Sequence, residues 1–317
     1  MKLHQLEALV ASADAGSIRA AARMLGLSQP AVTRALRELE SEQKLQLLQR
    51  SPTGLKFTEH GIALLTHARL ILNQMRQAES QMSIRRGEIE GRLCVGVTPW
   101  LSLTLLPEVV TSFRKRMPNV RLELFDSFVM ITQPLLRDGY MDLAIGQASP
   151  AMSPQEFLIE PLIRYETAVM VRRGHPREAC RSIHDLLDQD WLLNYAADGR
   201  DGLMQEVFWK HGAQIDERRI VVAHSVMMSQ MLVEQADMCT WIPKVLTMVQ
   251  PFVDRTVLLE LDEVFAPRDL SLIARRNGPL GSAVLCFIDC LTYAINRRYR
   301  SGKIEDRRIF ETVELLK

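Results

Sequence analysis

The chain reads as an α/β protein in three successive parts: a small N-terminal head, one long helix, and a larger C-terminal region of alternating strands and helices. Three observations predict it. Apolar residues recur at helical spacing in three short stretches before residue 40, and the same spacing runs unbroken over about residues 59–86. From Arg92 onward, short β-branched runs alternate with amphipathic helical stretches. At 317 residues and 47% apolar composition, the chain can pack two or more units.

In the head, Leu3, Leu6, Val10 and Ala13 form a first helical stripe that Gly16 ends. Ser17 stands as N-cap to a second helix, with Ile18, Ala21, Ala22 and Leu25 on its apolar face and Gly26 as its stop. Ser28 repeats the cap signal. Pro30 is tolerated in the first turn, where its missing N–H has no partner to lose, and Val32, Leu36 and Leu39 form the third buried stripe. From Leu45 to Thr58, LQLLQRSPTGLKFT sets two short apolar runs around Ser51-Pro52-Thr53-Gly54, the turn chemistry of a two-stranded hairpin, or wing.

In the long helix, Leu65, Ala68, Leu72, Met75, Glu79 and Met82 alternate steps of three and four, the spacing of a seam that pairs with a second copy. Glu79 is a polar break in it, and Gly87 with Gly91 predicts a hinge. Beyond the hinge, LCVGV, a helix through Phe113, VRLELF, a helix to Arg137 and MDLAIG predict a parallel arrangement. Apolar runs at 167–171, 191–193, 220–222, 239–243 and 257–259 continue it, and LSLIA near residue 272 precedes a last helix ending at 297–300. The expected organisation is a head at 1–58, a linker and dimerisation helix at 59–87, a hinge at 88–91 and a C-terminal domain at 92–317. That domain divides into one subdomain at about 92–161 with 267–300 and another at about 162–266.

Composition narrows the function classes. Net charge is +1, and residues 1–91 carry 12 Lys+Arg against 9 Asp+Glu, too slight an excess to indicate nucleic acid by itself. No apolar run approaches the roughly 20 residues of a membrane span. The start, MKLHQLEALVASADAG, lacks a signal-peptide core, so a cytoplasmic protein with no membrane partner is expected. Cys94, Cys180, Cys239, Cys286 and Cys290 are odd in number and scattered, which fits reduced, buried thiols rather than a disulfide framework or a zinc site. Cys286 and Cys290 share one helix face, where a core role is expected. His60 and His67 stand seven apart and the other histidines stand singly, so no metal and no cofactor is expected.

Placement carries what composition does not. A helix-turn-helix reads DNA because its second helix enters the major groove with its N-terminal residues at base edges. Pro30, Thr33, Arg34 and Arg37 lie on the face opposite Val32, Leu36 and Leu39. Gln29 can pair with adenine and Arg34 with guanine through two hydrogen bonds each, and Thr33 can bond a base or phosphate or touch a thymine methyl. Arg50 and Lys56 flank the wing turn and Thr53 sits at its tip, within reach of a phosphate or the minor groove of double-stranded DNA.

GSIRAAARMLGLSQPAVTRALRELE followed by LLQRSPTGLKFTEHG resembles the winged helix-turn-helix of LysR-type transcriptional regulators. The downstream pattern, including RDGYMDLAIG, is similar to their effector domain over nearly the whole chain. The resemblance implies DNA contacts at Ser28, Gln29, Pro30, Thr33 and Arg34, and wing contacts near Arg50, Thr53 and Lys56. Leu48 stands where an aromatic is usual, and Lys44 where a glycine commonly follows the third helix. Dimers through the long helix, often assembled into tetramers that bend DNA, are implied, with RNA polymerase as a further partner. A two-fold dimer predicts an inverted-repeat operator.

In open α/β sheets, ligands bind beyond the carboxyl ends of strands. Thr98-Pro99-Trp100-Leu101-Ser102, Gly146-Gln147 and His224-Ser225 stand at three such ends. LysR-type effector domains resemble periplasmic solute-binding proteins with a cleft between two subdomains, and by that resemblance these segments, with Phe128 and Trp241, line it. Trp100 and Phe128 can stack on a ring; Thr98, Ser102 and Ser225 can hold an acid oxygen; Arg200 can pair with its charge. The expected function is a DNA-binding regulator responsive to a small-molecule effector, an aromatic or other organic acid. A redox-sensing regulator using Cys180 and Cys239, or the Cys286 and Cys290 pair, is a second reading. An α/β enzyme is a third, for which the sequence offers no G-x-G-x-x-G after the first sheet strand, no P-loop, no G-x-S-x-G and no H-E-x-x-H.

Overall fold

The computed structural model describes residues 1–51, 54–85, 91–276 and 280–316. The chain divides near residue 90 into two compact units. The first holds α1 (Leu3–Asp14), α2 (Ile18–Leu25), α3 (Gln29–Gln43), β1 (Leu48–Ser51), β2 (Gly54–Phe57) and α4 (Glu59–Arg85).

Caps set its boundaries. The Ala20 N–H donates to Ser17 Oγ at 3.2 Å, and the Ala31 N–H donates to Ser28 Oγ at 3.3 Å. Gly26 closes α2 in the left-handed region at φ 65°. Lys44 closes α3 there too, at φ 54°, so the family's usual glycine position is kept in conformation though not in residue type. Glu40 Oε1 accepts the N–H groups of Leu47 (2.8 Å) and Leu48 (3.0 Å), tying the wing to the end of α3. Thr58 then links wing and α4: its N–H donates to Leu47 O at 2.9 Å, its hydroxyl donates to Gln46 O at 2.7 Å, and the Gly61 N–H donates to its hydroxyl at 3.0 Å.

The long helix uses its apolar face differently from the expected seam. Ala68 is buried, and Leu65 and Leu72 are half-buried, in the head's own core with Leu6, Leu9 and Leu39. Because α1 packs along α4, that face is taken. The exposed apolar row is Ile71, Met75, Ala78 and Met82, with steps of four, three and four, and Glu79 lies beside it on the surface. Of the expected hinge, residues 88–90 lie outside the described residues and Gly91 opens a strand.

The second unit runs β3 (Gly91–Val97), α5 (Pro99–Thr104), α6 (Leu106–Arg116), β4 (Val120–Asp126), α7 (Val129–Arg137), β5 (Leu143–Gln147), β6 (Phe157–Tyr165), β7 (Thr167–Arg172), β8 (Trp191–Leu193), α8 (Arg200–Val207), β9 (Ile220–Val222), α9 (Val226–Gln235), β10 (Cys239–Pro243), β11 (Thr256–Leu258), β12 (Arg268–Arg275), α10 (Ser282–Tyr299), α11 (Ile304–Phe310) and β13 (Val313–Leu315). Two sheets result, ordered β13-β6-β12-β5-β3-β4 and β11-β7-β10-β8-β9.

Neither sheet is parallel throughout, as the alternating pattern had suggested. β3 is parallel to β4 and β5, but β12 is antiparallel to β5 and β6, and β13 is antiparallel to β6. In the other sheet β8 is parallel to β9 and β10, while β7 is antiparallel to β10 and β11. The cause is the route of the chain. β6 leaves the first sheet and β12 returns to it, so the two run in opposite senses. β6 takes in Pro161, which interrupts a strand pattern; the register shift at Leu270/Ser271 falls opposite it and accommodates the missing N–H. Cys94, Cys239, Cys286 and Cys290 are buried, Cys180 is half-buried, and all five are free thiols.

Candidate functional site

Two places gather the chemistry, one in each unit. On α3, Gln29, Pro30, Arg34 and Arg37 are exposed, while Val32, Leu36 and Leu39 on the opposite face are buried. Ser28 heads the helix with its oxygen engaged by the Ala31 N–H. Thr33 is half-buried and its hydroxyl donates to Gln29 O at 2.9 Å, so its methyl and a lone pair are what it offers outward. Lys56 is exposed on β2, paired in register with Gln49. Arg50 pairs in register with Leu55 on the backbone; its side chain, and the whole of Thr53, lie outside the described residues.

In the second unit a cavity of about 590 Å³ opens between the two sheets, beyond the carboxyl ends of β3, β5 and β8. Of the residues singled out in the sequence, Thr98, Trp100, Phe128, Gln147 and Trp241 are in its wall. Thr98 precedes α5 with its hydroxyl unspent on capping. Gly146 lets the chain at Ser127 come close: a Cβ there would meet the Ser127 side chain well inside contact distance.

Ser102, Arg200, His224 and Ser225 are not in the wall. The Ser102 hydroxyl donates back to Thr98 O at 3.2 Å, and Ser225 Oγ accepts the Met228 N–H at 3.4 Å as the cap of α9. Arg200 pairs with Asp201 at 2.7 Å and with Glu217. His224 touches two wall residues, with its ring 6.3 Å from Phe128 edge to face and its Nδ1 3.1 Å from Asn194 Nδ2. The positions of Ser102, His224 and Ser225 after strands were legible; the direction of each side chain depends on tertiary contacts.

The wall also contains Arg268, which the sequence reading passed over at the start of the strand around LSLIA. Its guanidinium lies 4.6 Å over the Trp241 ring. Burial pulls its pKa below the ordinary arginine value, with Tyr165 and Glu206 opposing that shift, and burial pushes the Tyr165 phenol up to about 12. Three wall residues carry a buried polar hydrogen-bonding atom with no partner: Trp100 Nε1, Trp241 Nε1 and Thr167 Oγ1. A charged residue at the head of a strand next to a sheet crossing was the one signal available beforehand.

Residues 3–62 match the profile of the bacterial regulatory helix-turn-helix proteins of the lysR family, and residues 86–295 match that of the LysR substrate binding domain. The HTH-type transcriptional regulator TdcA of Escherichia coli (strain K12) is 27% identical over 275 residues, covering 86% of this chain and 87% of that protein. Among solved structures, a full-length single-substitution variant of OxyR from Pseudomonas aeruginosa superposes with a TM-score of 0.63 at 21% identity, covering 92% of this chain and 94% of that one. Full-length CbnR in complex with its target DNA gives 0.59 at 20% identity, covering 93% and 100%. Both likenesses are of fold. The chain belongs to the LysR family: it is a helix-turn-helix DNA-binding transcription regulator with an effector-binding domain.

Proposed function

We propose that α3 enters the major groove of the operator with Gln29, Thr33 and Arg34 at base edges. Ser28, Pro30 and Arg37 flank them on the backbone, and Arg50, Thr53 and Lys56 of the wing reach phosphates or the minor groove. The observation that carries this is the exposed Gln29, Arg34 and Arg37 face of a Ser28-capped helix whose other face is buried. Two copies pair through the Ile71, Met75, Ala78 and Met82 row of α4, giving an inverted-repeat operator, and two such dimers form a tetramer. The chain works in the cytoplasm, regulates rather than catalyses, and acts on transcription through RNA polymerase. Among the described residues no helix is long and apolar enough to cross a membrane.

The effector occupies the cavity between the sheets and is an organic acid. Its binding changes the operator affinity because it favours one arrangement of the sheets over another, and operator DNA must then change effector affinity by the same factor. The test begins with operators selected by the full-length protein from random duplexes. Arg34→Ala should relax preference at one base position and cost about 1–3 kcal/mol. Lys56→Ala should weaken all sequences alike and reduce the salt slope by about 1. An Arg34→Ala footprint and selected consensus identical to the unmodified chain's would refute the docking.

A further inference from the structure

The cavity wall holds one cation without an acceptor. Arg268 is the cation in it, and among the described residues it makes no ion pair or hydrogen bond through its guanidinium. Arg268 is half-buried, and a charge partly withdrawn from water without a counter-charge is held at some cost, because its desolvation is not offset. The acid that acts on it, Glu206, is committed elsewhere: its Oε1 accepts Lys210 Nζ at 2.6 Å and the Ala266 N–H at 2.8 Å. Lys210 thus balances Glu206 and leaves the charge of Arg268 over. Asp198, also in the wall, is exposed to solvent, where water screens it.

Two further features point the same way. The Arg268 Cζ lies 4.6 Å over the Trp241 ring, a contact that engages the π-face and spends none of the guanidinium N–H donors. The remaining surface is largely apolar, with Phe128, Met170, Leu192, Leu203, Ile242 and Phe252 among its members.

We infer that Arg268 is the anion-binding residue of this cavity, and that its ligand is a small organic monoanion, an apolar body carrying one carboxylate that pairs with the edge of the Trp241-stacked guanidinium. This rests on the reading of the cavity as the effector site and adds to it the residue and the charge. A dianion would place its second charge against apolar side chains, so dicarboxylates are discriminated against. Lysine cannot replace the arginine fully, since it lacks the planar fork.

The test compares charged and neutral ligands of equal shape on the full-length protein, followed by tryptophan fluorescence and thermal shift. The pairs are phenylacetate with phenylacetamide and hexanoate with hexanamide, with hexanedioate as the dianion. Each carboxylate should bind about tenfold or more tightly than its amide, and hexanedioate more weakly than hexanoate. In Arg268→Met, which conserves length and apolar contact with Trp241, acid and amide should bind alike; Arg268→Lys should fall between. Equal binding of acid and amide by the unmodified chain, no binding of any probe at millimolar concentration, or a preference that survives in Arg268→Met would overturn the inference. The comparison in the unmodified chain needs no variant to fold. Carboxylates that bind through Arg268 yet leave operator affinity unchanged would keep this site and refute the effector reading; amides that bind as well as acids and shift operator affinity would do the reverse.

Discussion

Two glycines in helices should respond to the same substitution with opposite signs. Gly61 lies in the first turns of α4, and a Cβ built on it would stand 3.0 Å from the Leu47 carbonyl carbon and 3.3 Å from its Cα, with the carbonyl oxygen nearer still. Those atoms are backbone, so no side-chain rotation relieves the clash. Restoring ordinary contact requires a retreat on the order of 1 Å, which stretches the Thr58 N–H bond to Leu47 O and loosens the buried Leu47 side chain. Losing that bond costs about 1 kcal/mol, the overpacking and backbone shift cost about 2 kcal/mol, and the helical preference for alanine returns about 1 kcal/mol. Gly61→Ala should therefore destabilise the head by about 2 kcal/mol. Gly202, in α8, has nothing within 4 Å of its built Cβ, so Gly202→Ala should stabilise its unit by about 1 kcal/mol. A single melting temperature is a poor readout for a chain of two units, so hydrogen exchange resolved to peptides is the assay. Amides over 46–64 should exchange about 30-fold faster in Gly61→Ala, and those of α8 about fivefold slower in Gly202→Ala. If the Gly61 variant exchanged no faster than the parent, the close approach of α4 and the wing would be wrong.

Two further outcomes can be measured by similar means. Lys44 at φ 54° carries a left-handed cost of about 1–2 kcal/mol. Removing it with Lys44→Gly, less the added freedom of the unfolded chain, should stabilise α3 by about 1 kcal/mol; unchanged or faster exchange in α3 would contradict this. Burial pushes the Cys94 and Cys239 thiols up to about 12 and raises that of Cys180, so the reactive thiolate is scarce at neutral pH and grows only as pH climbs toward the raised values. Native protein near neutral pH should resist iodoacetamide for hours at Cys94 and Cys239 while unfolded protein reacts at all five cysteines; rapid native labelling of Cys239 would favour the redox reading instead.

How much was legible beforehand follows the range of the interactions. Local signals carried well: Ser17, Gly26 and Ser28 mark helix ends by bonds spanning three or four residues, and the strands at 191–193, 220–222 and 239–243 coincide with their apolar runs. The seam of α4 did not carry, because a three-four spacing says that a helix has an apolar face and not which neighbour covers it; α1 claimed Leu65, Ala68 and Leu72. Strand direction was lost for a similar reason. Alternating elements predict parallel pairing only while the chain stays in one sheet, and here it leaves after Tyr165 and returns at Arg268. In the cavity, the residues after strands were found because that position is topological. Arg268 was not, since its meaning depends on Trp241 lying 27 positions earlier in sequence and 4.6 Å away in space.

β13 bears on where the effector-binding domain ends. The family profile stops at 295, yet residues 313–315 complete the six-stranded sheet by pairing with Ile163, Arg164 and Tyr165, and the Glu166 N–H donates to Thr312 O at 3.1 Å. Ile309 is buried in the large core, and the Tyr299 and Phe310 rings meet at 5.4 Å. A fragment trimmed to the profile would bare the flank of β6 along its backbone, the kind of unzipped selvedge onto which a stray strand stitches itself. Glu166 is also the one residue between β6 and β7, where the chain passes from sheet to sheet. The tail therefore hems the first sheet and pins the crossing, and the fragment that keeps both runs through residue 316.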